Sequence, residues 1–240
     1  MNFPPISPMI NAAFNVARAK YRAEHIAWTN LSGVLSGRFN LPIATMNIQR
    51  QGDLDLLLRC MEDEFEANMA ADAAETSGSN MTLHYQLSLS ETWVVGCYEI
   101  MRAFRQRDRD AMQARTRPSG VSGMEAFKSI FADLELLRMP MVKFEIARDN
   151  KLKGPLQLQR GPANNDASDQ ITYDSKDPTR SHLMPSAISS RGSARWAALD
   201  HLANRQHWVE RRDLAERFLT MGNEIIPAGI LEAQERAAEE

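Results

Sequence analysis

The stretch SAISSRGSARWAALD, Ser186 to Asp200, admits two readings, and the fold turns on the choice between them. In the first, Gly192 turns the chain, Ser193 caps a helix, and Ala194 to Leu202 is that helix, with a strand as the second choice. In the second the stretch cradles an anion. Ser189, Ser190, Gly192 and Ser193 supply hydroxyls and closely approaching N–H groups, and Arg191 and Arg195 supply bidentate donors. The stretch matches neither the P-loop nor the dinucleotide fingerprint, and no clear strand leads into it. Turn and cap is the stronger reading, and the cradle marks where a small anion would bind.

Downstream, WVERRDLAERF belongs to an amphipathic helix read from Trp208 to Met221, with Val209, Leu214, Phe218 and Leu219 on one side. Arg211 and Arg212 are adjacent and diverge by about 100° on a helix, so either one can join Arg191 in a shared anion site. Upstream, residues 154–193 are rich in Pro, Ser, Asn and Asp, and LQLQ, QITY and HLM within them are short enough for strands of a small hairpin. A connection this long without a helix is uncommon in a compact domain and tends to carry function.

Farther upstream a helical period takes over. Ile10, Phe14, Ala17, Tyr21, Ile26 and Trp28 predict a helix over about 9–35, and RFNLPIATMNIQRQGD, with β-formers and a proline, reads as a loop or one short strand. Asp53 is expected to cap a second helix running to Ala74, Ser88 or Ser90 a third, and Ser122 a fourth. Ser88 with Glu91, and Ser122 with Glu125, have capping-box spacing. Pro140 should end or kink the fourth helix, with a continuation to about Lys151. The expected fold class is mainly α: a multi-helix bundle forming one domain over 1–240. It carries a small β-hairpin-like or irregular insertion around 155–190, within the compositional shift of 154–193, and an acidic tail over 228–240 that frays.

Charge narrows the partners. The net charge of −3 gives no general pull toward nucleic acid, although 22 of the 28 basic residues are arginine. The run Arg102, Arg105, Arg107, Arg109, Arg115 and Arg117 lacks interleaved aromatics and sits in no recognisable nucleic-acid module, so nucleic acid ranks last as a partner. The run can equally meet the acidic segment 53–75, where eight Asp and Glu stand against Arg59 alone, within the chain or between copies. Glu91, Tyr98 and Arg102 share a helix face, with Glu99 three residues before Arg102; Glu135, Arg138, Glu145 and Arg148 repeat the pattern. Facing outward, these rows are solvated ion pairs. Facing inward, they form a polar network able to fix packing or hold a small anion. Each helix already has one apolar stripe, which favours outward.

Other chemistry finds little to stand on. No run approaches the roughly eighteen apolar residues of a membrane span. The N-terminus has neither a basic start nor a continuous apolar stretch, so the expectation is no membrane and a cytoplasmic setting. The five histidines include no H-x-x-x-H or E-x-x-H pair, and Cys60 and Cys97 read as buried thiols, so no metal or cofactor is expected. No G-x-S-x-G elbow is present. The leading function is a non-catalytic helical interaction module that self-associates or docks another protein. Its 13 methionines suit adaptable apolar surfaces. The alternative is an enzyme or sensor that binds a phosphorylated or other anionic small molecule through the 186–195 loop and nearby arginines.

Overall fold

Helices α1 (Ile6–Lys20), α2 (Arg22–Arg38), α3 (Ile43–Ala71), α4 (Met81–Gln113), α5 (Glu125–Lys143) and α6 (Arg211–Ile225) hold most of the described chain. Between α5 and α6 lie strands β1 (Leu156–Gln159), β2 (Gln170–Tyr173), β3 (Ser186–Ile188), β4 (Ala194–Asp200) and β5 (Arg205–Glu210). The fold is mainly α with a β insertion. The computed structural model describes residues 5–71, 81–143, 145–146, 148–160, 170–180 and 185–225. The HLM strand and the 228–240 tail lie outside these residues.

The stretch that opened the question is a hairpin arm, and the helix expected at Ala194 to Leu202 is strand β4. Its alanines and leucine favour a helix locally, but β4 pairs antiparallel on both edges, Ser186 with Trp196 on one side and Arg195 with Glu210 on the other. Ala194 and Trp196 to Leu199 are buried, so non-local pairing and burial override local propensity. The same sheet takes Trp208 to Glu210 into β5, and α6 begins at Arg211. LQLQ and QITY do form β1 and β2, paired Leu156 to Tyr173 and Gln159 to Gln170. The β region thus extends past 190 to Glu210.

Five other boundaries differ from expectation. The first helix is two, broken at Tyr21 (φ −112°, ψ 49°). The loop expected before Asp53 is helical from Ile43, because Pro42 suits a helix start and Ala44 and Ile48 are buried. Asp53 therefore lies inside α3 and pairs with Arg18 at 2.6 Å instead of capping. Ser88 and Ser90 fall inside α4, which begins at Met81. Ser122 sits in a 3-10 turn before α5 and directs its N–H and hydroxyl to Asp108. Pro140 stays within the last turn of α5, which ends at Lys143.

The chain divides into two compact units that interleave in sequence. Unit one takes Met1–Cys60, Glu99–Ser129 and Ala215–Glu240. Its core holds Trp28, Leu31, Leu35, Leu56, Phe104, Phe127 and Phe218. Phe39 stacks on Phe104 at 4.3 Å, and the Trp28 indole N–H donates to the buried Asp55 carboxylate at 2.8 Å. Unit two takes Met61–Tyr98 and Ile130–Leu214. Its core holds Trp93, Ile130, Leu134, Leu137 and the inner side chains of β4, with Ile146, Leu156, Leu158, Tyr173 and Leu199 as a connected cluster.

Candidate functional site

The 186–195 loop is built as a lock for unit two. Gly192 has φ +71°, and a Cβ there would lie 2.3 Å from the backbone oxygen of Glu62. Only glycine meets both demands. The Gly192 carbonyl accepts the Gln86 side-chain amide, and the Ser189 N–H bonds the Ser193 carbonyl at 2.8 Å. Ser193 does cap a helix, but across the fold: its hydroxyl accepts the Arg212 N–H at 3.1 Å, one of the orphan donors at the start of α6. Ser190 is exposed.

Every arginine named for the anion cradle meets a carboxylate. Arg191 bonds Glu210 at 2.9 Å and also Asp213. Arg195 lies 3.9 Å from Glu210 and 5.8 Å from the Trp208 ring centroid. Arg211 forms a bidentate pair with Glu62 at 2.8 and 2.7 Å, both side chains being 0% exposed, and lies 5.6 Å from the Trp93 ring centroid. Arg212 bonds Asp63 at 3.2 Å. A buried pair such as Arg211–Glu62 adds little net stability over an apolar replacement. It costs several kcal/mol, about 3–5, to break from one side, which suits a registry device. The loop and its arginines converge as an internally neutralised cluster.

The two charged rows are mostly surface. Glu91 and Glu145 are exposed, and Glu99–Arg102 is a half-exposed pair at 2.6 Å. Glu135 reaches Arg148 at 3.6 Å. Tyr98 is the buried exception: it stacks with Phe131 at 5.5 Å, and the Arg138 guanidinium lies 5.2 Å from its ring centroid.

Two features stand outside the sequence reading. The first is α1, which buries only Ala17. It is fastened to α3 by Arg18, whose guanidinium grips both oxygens of Asp53 at 2.8 and 2.6 Å, beside a hollow of 510 Å³ lined by Asn11, Phe14, Asn15 and Arg50. At about 100° per residue, Asn11, Asn15 and Arg18 share the face toward α3, and Ile6, Met9, Ala13 and Val16 share the opposite one. That outer face is bare: Ile6 is 72% exposed, Met9 59% and Val16 62%. The 3-4-3 spacing of these four, with no charge from Ile6 to Ala17, was the available signal. The sequence reading followed the row Ile10, Phe14, Ala17 and Tyr21 along one long helix instead, and of that row Ala17 is buried.

The second is a cavity of 350 Å³ in unit one, lined by Arg38, Arg107 and Arg117 together with Asp108 and Asp110. Two of these arginines belong to the charged run 102–117; Arg38 joins them only through the fold. Among the described residues no group of three His, Cys, Asp or Glu side chains is placed to hold a metal ion, and no helix is long and apolar enough to cross a membrane. No family model, curated protein or solved structure matches this chain.

Proposed function

We propose that the protein is a non-catalytic helical interaction module that self-associates through the outer face of α1. The observation that carries this is the turned-out apolar stripe Ile6, Met9, Ala13 and Val16. A helix of 15 residues is marginal in water when it buries almost nothing. Its apolar face gains by covering, and the a/d-like spacing suits another helix. A second copy is the occupant that the charges favour. The stripe is uncharged and self-complementary, and Arg18 and Lys20 cluster at one end. Antiparallel packing about a two-fold axis buries the stripe against itself and keeps the basic ends about 20 Å apart, the length of the helix. Parallel packing would bring them together. The two free buried cysteines, Cys60 and Cys97, agree with a reducing, cytoplasmic setting.

Light scattering on eluted peaks tests the reading. Met9→Glu and Val16→Glu each put a charge into the stripe without touching the core. Each should weaken a wild-type dimer by about tenfold or more with helical content unchanged by circular dichroism. A dimer that survives both substitutions places the contact elsewhere, and a wild-type monomer at every concentration defeats the proposal.

A further inference from the structure

The arginine-lined cavity of unit one carries an inference independent of α1. We propose that Arg38, Arg107 and Arg117 form a binding site for a phosphorylated small molecule.

The cavity lies where α2 and α4 end. Arginines at helix C-termini ordinarily neutralise the carbonyl ends, yet here backbone turns already satisfy those carbonyls. Asn40 (φ 48°) closes α2: its N–H bonds the Gly37 carbonyl at 3.2 Å, and the Leu41 N–H bonds that of Ser36 at 2.9 Å. Arg115 (φ 54°) closes α4 in the same manner, with its N–H to the Met112 carbonyl at 3.1 Å and the Thr116 N–H to that of Ala111 at 2.8 Å. The guanidinium groups are therefore surplus to capping.

They are also surplus to charge pairing. Asp108 is taken by Ser119 and Ser122: the Ser119 N–H and hydroxyl donate at 2.7 and 2.8 Å, and Ser122 contributes both its N–H and its hydroxyl. Asp110 accepts from the Gln106 amide at 2.7 Å. Arg107 spends one N–H on the Phe39 carbonyl, at 3.4 Å, which holds it on the cavity wall. Arg38 and Arg117 make no hydrogen bond or ion pair among the described residues. This is the reverse of the Arg191 cluster, where a carboxylate meets each arginine.

Three guanidinium groups around one concavity match a phosphate dianion, whose oxygens take bidentate N–H pairs. Asn40, Thr116 and Ser119 on the same lining offer amide and hydroxyl partners to a polar remainder. The volume of 350 Å³ fits a small molecule.

Isothermal titration calorimetry at fixed ionic strength, with inorganic phosphate, pyrophosphate and glucose 6-phosphate as probes, tests this on the full chain. Saturable binding is expected, stronger for pyrophosphate or the sugar phosphate than for chloride. Arg38→Ala and Arg117→Ala should each weaken it by about tenfold or more. Both side chains are exposed, so the fold should persist. Arg109→Ala, whose side chain bonds Gln106 instead, should leave binding unchanged. Absence of binding at millimolar probe overturns the site, as does equal weakening by Arg109→Ala. Tighter, steeply salt-dependent binding of oligonucleotides than of any small phosphate would identify a nucleic-acid surface and overturn the small-molecule site.

Discussion

Asp108 and Tyr173 show how single polar groups are spent on structure here. Burial pushes the Asp108 carboxyl up, but hydrogen bonds from the Ser119 and Ser122 hydroxyls and N–H groups outweigh it and hold the acid below its ordinary value. A depressed folded pKa contributes stability above the unfolded value near 3.9, and that stability is lost as pH falls through the folded one. Asp108→Asn should therefore cost about 2 kcal/mol at pH 7, and the gap from wild type should close in denaturant titrations taken progressively below about pH 4. A gap that stays constant with pH would remove the carboxylate from the account. Tyr173 runs the other way. Burial, and the hydrogen bond its hydroxyl donates to Asp149 at 2.9 Å, push it up to about 12. A neutral phenol favoured in the fold contributes stability fully present below its unfolded value near 10, lost as pH rises toward 12. Thermal melts of wild type and Tyr173→Phe should differ by about 1 kcal/mol at neutral pH and converge above pH 10. None of these partners was visible in sequence, because Asp108 and Ser122 are 14 residues apart and Asp149 and Tyr173 are 24 apart.

At the scale of elements, the hairpin at Gly192 is where the sequence was most informative and most misleading. The turn was legible: a glycine in a serine-rich stretch reverses the chain, and Ser193 caps a helix. Which helix was not legible, since the capped donor belongs to Arg212, 19 residues on. The strand β4 reads as a helix because its residues favour one locally, and only its neighbours β3 and β5 decide otherwise. The capping boxes misled for a related reason. Ser88 lies within α4, while Ser122 is claimed by Asp108, so spacing alone met the pattern without the geometry. Gly192→Ala forces a Cβ into the Glu62 backbone and strains a positive φ. It should destabilise the protein by about 3 kcal/mol, whereas Gly33→Ala, at a helical site where a Cβ meets nothing within 4 Å, should stabilise it by up to about 1 kcal/mol. Chemical denaturation of the two variants side by side checks this, and equal midpoints would mean that the loop tolerates displacement.

For the molecule as a whole, helical periodicity was enough to read a mainly α chain with a β insertion, because apolar spacing reports burial directly. What charged and apolar residues do on the surface was harder to read. The arginines of the 186–195 region looked available in sequence and are met by carboxylates in the fold, whereas Arg38 and Arg117 looked unrelated and share a cavity. Likewise the helix was read from the row Ile10, Phe14, Ala17 and Tyr21, and the separate a/d-like stripe of α1 faces out. Self-association through that stripe is the central claim, and sedimentation equilibrium of the wild-type chain tests it most directly. Loaded at about 100 μM, where a micromolar Kd gives mostly dimer, the protein should show twice the 27.0 kDa chain mass, falling toward 27.0 kDa on dilution. A mass of 27.0 kDa at every concentration would contradict the claim.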